Sequence, residues 1–354
     1  MTRQALDAFE RVLREGVADD VYTCAVAAVG SSAGEAHRCA VGEDDPERGR
    51  QATESTVFDL ASVTKSVVTT TVVLGLVEEG RLSLSDTLGR HLPSVDGDRG
   101  EIAIRQLLTH TSGLQPYHFA PSWEHRAEAV EAILREDLLA APPGERHEYS
   151  CLNFVHLVLV AEEVTGASLP ELAEAYVFDP AGMEAAALGR PADATAPVAV
   201  TRDHEYGRGT LRGEIHDPIA HAMDGRSGNA GLFATVEDVS RFARTLLGDA
   251  AAGTNQLLAP TTVATLATDL TPEGVEPHGL GWRLGNATYP APTWTGRAIG
   301  HTGYTGTSLW VDLERDRYCV LLTNEVYTGK EDGEMPRIRE LAHAAAGAIP
   351  DAEL

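Results

Sequence analysis

Lysine is nearly missing from this chain: Lys65 and Lys330 are the only two among 28 basic residues, against 53 Asp and Glu, for a formal net charge of −25. Such a surface repels phosphate backbones and anionic lipid headgroups alike, which argues against nucleic-acid and membrane partners. Arginine in place of lysine fits either a protein kept soluble in high salt or a GC-rich genome. Cysteine is also sparse. Cys24, Cys39, Cys151 and Cys319 form no C-x-x-C pair and no metal-ligand spacing, so neither a zinc framework nor a disulfide scaffold is expected. A reducing, cytoplasmic setting is expected, with Cys24 and Cys39 the one pair that a hairpin would set face to face. No apolar stretch reaches the roughly 18 residues of a membrane span. The longest, Val67 to Val77, is interrupted by three threonines. Met1 to Asp7 lacks the apolar core of an export signal and reads as the start of an amphipathic helix with Leu6, Phe9, Leu13 and Val17 inward.

What is present is a globular composition, 43% hydrophobic and 23% charged, over 354 residues, enough for two domains. Val21 to Val29 and Ala36 to Val41 read as strands of a hairpin around Gly30 to Gly34. From Ser62 to Leu247 helical periodicity dominates, at Val63 to Glu79, Ile102 to His110, Glu124 to Leu139, Leu152 to Val164, Leu169 to Tyr176 and Val236 to Leu247. Strands return at Gly281 to Leu284, Ala298 to Thr302, Thr307 to Asp312 and Tyr318 to Thr323, before a closing helix from Met335 to Ala346. The economical assembly is an α+β fold. One antiparallel sheet of N- and C-terminal strands, flanked by helices, would form a domain of residues 1–60 and 250–354, with a mostly helical domain, 61–249, inserted into it. A cleft between the two is the expected site. Residues 182–233, weakly periodic and longer than a passive connector, are expected to wall it.

Three candidate motifs carry chemistry. G-x-S-x-G occurs at Gly30 to Gly34, but a nucleophile elbow needs a strand-to-helix turn and here a second strand follows, so a hairpin turn is expected. Glu214, His216, Asp217 and His221 lack any tight ligand spacing, so no metal and no cofactor is expected. Ser62-Val63-Thr64-Lys65 is different: at a helix start, a lysine three residues after a serine puts amine and hydroxyl on one face, a nucleophile with its base. Partial burial and the positive helix end are both expected to lower the lysine pKa, leaving amine able to take the serine proton. With two lysines and 15 serines in the chain, roughly 0.08 such matches arise by accident. A capped core helix would carry the same four residues.

Phe58-Asp59-Leu60-Ala61-Ser62-Val63-Thr64-Lys65 resembles the nucleophile motif of the penicillin-binding-protein and serine β-lactamase superfamily, in its class C-like branch, which also holds esterases, D-amino-acid peptidases and transacylases. Further similar motifs follow in family order. Leu107 to Leu114 is similar to a signature of that branch, Pro143-Gly144 leading to Tyr149-Ser150 to the second catalytic motif, and His301-Thr302-Gly303 to the third. Gly213 to Phe233, with Ile215-His216-Asp217 and Gly228-Asn229-Ala230-Gly231-Leu232-Phe233, and Gly281-Trp282 resemble the branch as well. The resemblance runs from about residue 20 to 325 and implies a β-lactamase/transpeptidase-like fold.

The resemblance implies that Ser62 attacks a carbonyl, that Lys65 and Tyr149 share proton transfer, and that the amides of Ser62 and Tyr304 form the oxyanion hole. His301 would be a fourth catalytic residue beside Ser62, Lys65 and Tyr149, and Cys151, Thr302, Gly303 and His216 would line the substrate. His301 stands where typical β-lactamases carry Lys and several peptidase and esterase relatives carry His; a weakly charged His would hold a substrate carboxylate less firmly. The second motif departs from the family's Tyr-x-Asn by reading Tyr149-Ser150-Cys151. A thiol is a poor substitute for an amide that contacts both lysine and substrate, so amide and β-lactam recognition is called into question. Asn153 lies two residues further on. The expected function is a serine hydrolase forming an acyl-enzyme on Ser62, an intracellular esterase, amidase or transacylase acting on a small acyl substrate. The alternatives are a β-lactamase or D-amino-acid peptidase, and a catalytically silent binding protein of the same fold.

Overall fold

The computed structural model describes residues 2–123, 125–248, 257–285, 290–329, 333–351 and 354. Seven strands form one antiparallel sheet: β1 (Cys24–Ser31), β2 (Gly34–Asp45), β3 (Arg50–Gln51), β4 (Arg283–Leu284), β5 (Ala298–Thr302), β6 (Ser308–Asp312) and β7 (Arg317–Thr323), in the order β3-β2-β1-β7-β6-β5-β4. The N-terminal hairpin therefore joins the C-terminal strands through β1 and β7, where Ala25 lies opposite Thr323 and Val29 opposite Cys319. These strands read as nearly unbroken apolar runs because both faces of the sheet are covered.

Alternate residues serve different cores. Cys24, Val26, Ala28, Val320 and Leu322 face the helical region and join one continuous core with Val67, Phe154 and Phe242. Ala25, Ala27, Val29, Cys319 and Leu321 face the other way, against α1 (Thr2–Ala18) and the closing helix Glu334–Gly347. Leu6, Phe9, Leu13 and Val17 all pack into that second core, so the amphipathic reading of α1 holds. Helix α2 (Cys151–Thr165) is buried along most of its length within the first core.

Several boundaries differ for physical reasons. Strand β2 runs on to Asp45, beyond the apolar stretch, because its acidic end is buried and paired: Asp44 with Arg50 and the Thr56 hydroxyl, Asp45 with Arg212. Cys24 and Cys39 do not face each other. Cys39 is opposite Ala27 and Cys24 opposite Gly42, so the two thiols point to opposite faces and both are free. Gly30 to Gly34 is the hairpin turn expected of it. Helix α3 (Val236–Leu247), read with the helical insert, packs on β1 and β7 of the sheet. The helix expected at Glu124 to Leu139 spans Arg126–Arg135, residue 124 lying outside the described residues, as does the 249/250 domain border. The irregular 182–233 segment contributes short strands: Ala187–Leu188 pairs with Leu232–Ala234, which pairs in turn with Phe58–Asp59 just ahead of Ser62.

Candidate active site

Ser62 is presented by a strained turn. Ala61 has φ of 45°, in the left-handed region that side chains disfavour, at a cost of about 1 kcal/mol or more. Asp59 holds the turn: its buried carboxylate accepts from the amides of Ala61 (2.9 Å) and His216 (2.8 Å). The third-motif turn is laced to the same segment. The Thr305 hydroxyl donates to the Asp59 carbonyl (2.8 Å) and that of Thr307 to the Leu60 carbonyl (3.0 Å). Gly303 is required at this approach, since a Cβ there would lie 2.1 Å from the Thr307 hydroxyl and 2.5 Å from the Leu60 carbonyl. This lacing ties the turn that holds Tyr304 to the segment that leads into Ser62. The Tyr304 ring is 65% exposed and lies 5.6 Å from the His216 ring.

Lys65 opens a π-helical turn, Lys65–Thr70, that continues as the α-helix Thr71–Glu78. Such turns are rare and concentrate at functional sites. The hydroxyls that interrupt this apolar run anchor it: Ser66 to the Gly281 carbonyl (2.6 Å), Thr69 to that of Gly228 (2.8 Å) and Thr70 to that of Lys65 (2.8 Å). Fully buried, Lys65 donates from Nζ to Ser62 Oγ (3.0 Å) and to the Asn229 carbonyl (2.7 Å), and lies 5.1 Å from the centre of the Tyr149 ring. Asn229 can come this close because Gly228 has no side chain; a Cβ there would sit 2.2 Å from Val158.

The expected lowering of the lysine pKa is corrected. Burial is the largest influence and does pull it down, but Cys151, Tyr149 and Asp217 together outweigh it and hold the pKa above its ordinary value. Lys65 is an ammonium at neutral pH. Tyr149 is pushed up by burial, with Lys65 opposing, and so is a phenol. A base forms here only when the Lys65–Tyr149 pair gives up one proton, which belongs to the pair rather than to either residue.

The second motif is fastened by the segment around His110, itself at a positive φ of 55°. His110 Nδ1 accepts from the Ser150 amide (3.0 Å) and the Asn153 side-chain amide (3.1 Å), while the Cys151 amide donates to the Pro116 carbonyl (2.8 Å). Asn153 also accepts from the Ser112 hydroxyl (2.5 Å), so it is committed to this scaffold and does not replace the missing motif amide. Cys151 is buried, and burial, only partly opposed by Lys65, raises its pKa; it is a thiol, not a thiolate. The side chain nearest the family amide in chemistry is Asn229, whose amide group donates to Asp217 Oδ1 (3.1 Å).

His301 differs from its expected role. Its ring is buried, and Nδ1 donates to the Thr302 carbonyl (2.8 Å), which fixes Nε2 as an acceptor with no partner among the described residues. Burial first, then the Arg283 and Lys65 charges, holds its pKa well below the usual histidine range. It is therefore uncharged rather than weakly charged, and it stands across Tyr149, the ring centres 6.0 Å apart. His110, His147 and His278 complete a group of imidazoles here, with His110 centred 4.6 Å from Tyr149 and 5.1 Å from His278.

The structure thus brings Ser62, Lys65, Tyr149 and Cys151 together, places Tyr304, Thr302, Gly303 and His216 along the adjoining wall, and sets His301 behind Tyr149. The site residues to which the sequence assigns no role are Asp59, Asn229 and His110. Asp59, Asn229 and His110 lie inside the quoted motif segments, but only the fold shows what they bind. Among the described residues no group of three or more His, Cys, Asp or Glu is placed to hold an ion. A serine hydroxyl hydrogen-bonded to a buried ammonium, with a phenol beside both, is the constellation of serine acyl-transfer enzymes of the S-x-x-K type.

The Beta-lactamase family model matches residues 9–344, and the chain belongs to this family of serine hydrolases. It is 28% identical over 320 residues, 81% of this chain and 73% of the relative, to an Escherichia coli K12 protein named as a candidate D-alanyl-D-alanine carboxypeptidase. Among solved structures it resembles EstCE1, a hydrolase with promiscuous acyltransferase activity (TM-score 0.79, 22% identity, covering 97% of this chain and 99% of that one). It also resembles a class C β-lactamase from Rhodobacter sphaeroides (TM-score 0.76, 18% identity, covering 96% and 98%). The three names differ in activity, so the shared fold does not set the substrate.

Proposed function

We propose that the protein is an esterase or transacylase that forms an acyl-enzyme on Ser62. The observation that carries this reading is the 3.0 Å contact from Lys65 Nζ to Ser62 Oγ, with Tyr149 alongside. Loss of one proton from the Lys65–Tyr149 pair creates the base. Ser62 Oγ then attacks the acyl carbonyl, its proton passes to the pair, and the Ser62 and Tyr304 amides receive the developing oxyanion. Tyr149 returns a proton to the leaving oxygen as the carbonyl–oxygen bond breaks. Water or an alcohol then repeats the sequence against the acyl-enzyme, losing its proton to the pair and releasing Ser62.

Esters are favoured over β-lactams and D-amino-acid peptides for two reasons. Cys151 supplies no amide to an acylamino group, and uncharged His301 supplies no cation to a carboxylate. Exposure to a fluorophosphonate, followed by intact mass and peptide mapping, tests the nucleophile: a single adduct on Ser62 is expected. A panel of 4-nitrophenyl esters and a chromogenic cephalosporin tests the substrate class. Faster cleavage of the cephalosporin would overturn the ester assignment, and an adduct on another residue would overturn the mechanism.

A further inference from the structure

The charges lining the site are unevenly divided. Lys65 is turned inward to Ser62 and Asn229, and His301 is neutral, so neither offers a cation to a substrate. Asp217, by contrast, is partly exposed and lies one residue removed from the lysine: Asn229 gives its carbonyl to Lys65 and its side-chain amide to Asp217. Asp217 Oδ1 is saturated by Asn229 and by the Ala220 amide (2.8 Å), but Oδ2 has only a long contact of 3.4 Å from the Tyr117 hydroxyl.

Three tyrosines on separate loops stand around this part of the site. Tyr117 touches the carboxylate, and Tyr206, 39% exposed, packs edge-on to Phe119 with ring centres 5.1 Å apart. Tyr304 covers His216, the residue before Asp217. Behind burial as the main cause, the Asp217 charge helps raise the pKa of both Tyr117 and Tyr206, which places it near each. The other charged groups on this side include Lys65, the buried Asp59, Asp203, Glu205 and Arg208. Arg208 is spent on Asp203 and on the carbonyls of Ile215 and His216. Arg283 belongs to the opposite end of the site, beside His301, His278 and His147. A carboxylate oxygen with spare capacity, with exposed tyrosines on the neighbouring loops, is an environment suited to an ammonium.

We propose that Asp217, framed by Tyr117, Tyr206 and Tyr304, is a subsite for a cationic ammonium group, so that the preferred acyl donors carry a positive charge a short chain away from the reacting carbonyl. The proposal rests on acyl transfer at Ser62. Its test compares three 4-nitrophenyl esters of matched chain length: 4-(trimethylammonio)butanoate, its neutral isostere 5,5-dimethylhexanoate, and the glutarate half ester. The ammonium ester is expected to exceed the neutral one in kcat/KM by about five- to tenfold, with the carboxylate ester slowest. Asp217→Asn, which can still cap the Ala220 amide, is expected to bring the ammonium-to-neutral ratio to about one, and Tyr206→Leu to lower it roughly twofold. A wild-type ratio of one or less, or a ratio unchanged in Asp217→Asn, would overturn the proposal. Preference for the glutarate ester would overturn it as well and assign charge recognition to Arg283. Ser62 labelling without an ammonium preference would defeat this proposal alone, whereas absence of Ser62 labelling would defeat the acyl-transfer reading and this proposal with it.

Discussion

Lys65 and His301 are both fully buried on either side of Tyr149, yet one is charged and the other is not. Burial pushes both toward neutrality. The difference lies in the neighbours: the acidic groups Cys151, Tyr149 and Asp217 stand against the lysine and resist its deprotonation, because Cys151 and Tyr149 can lose a proton in its stead, while the cations Arg283 and Lys65 itself oppose a second cation at the histidine. The charge state of a buried base is thus decided by what the fold packs against it, and one retained ammonium keeps the next position neutral.

Removing the nucleophile gives the largest expected effect. Ser62→Ala should lower ester turnover by about 10⁴-fold or more with the fold intact, as read by steady-state kinetics alongside circular dichroism. A loss of less than tenfold would move the nucleophile elsewhere. Acid should erase the neutral half of the comparison next. Burial holds His156 down to about 4 and His278 and His343 down to about 3. Below the ordinary histidine range the unfolded chain binds protons that the folded chain refuses, so stability falls as pH falls. Each group contributes about 1.4 kcal/mol one pH unit below its unfolded value. Urea unfolding at pH 7.5 and 5.5 should therefore differ by about 4 kcal/mol from these three alone, and equal midpoints would contradict their neutrality. His301→Lys breaks the comparison directly by placing a second amine near Lys65 and Arg283; it should cost about 2–3 kcal/mol of stability, measured by the same unfolding. Cys151→Asn, which restores the family amide, should give the smallest change, about a three- to tenfold gain in amide over ester turnover, and no change would show that Asn229 already meets that need.

Much of the frame was legible in the sequence because its signals are local. Short β-rich, largely apolar runs marked the strands β5, β6 and β7, helical spacing marked Val236 to Leu247, and the three-residue step from Ser62 to Lys65 marked the nucleophile pair. Asp44 and Asp45 misled at the end of β2 because their partners, Arg50, Thr56 and Arg212, had to be brought in by the fold. The lysine pKa was misjudged for the same reason. Its direction is set by Cys151, Tyr149 and Asp217, which are 84 or more residues away in the chain and adjacent only in space. Thr69 and Thr70 looked like interruptions of an apolar run, yet they fasten the π-helical turn that carries Lys65.

The central claim, that Ser62 is activated only when the Lys65–Tyr149 pair loses a proton, is tested most directly by the rate of fluorophosphonate modification at Ser62 as a function of pH. With both groups raised above their ordinary values, the rate should climb about tenfold per pH unit from 6.5 to 8.5 without levelling. A rate that is flat across that range, or an adduct on a residue other than Ser62, would contradict the account.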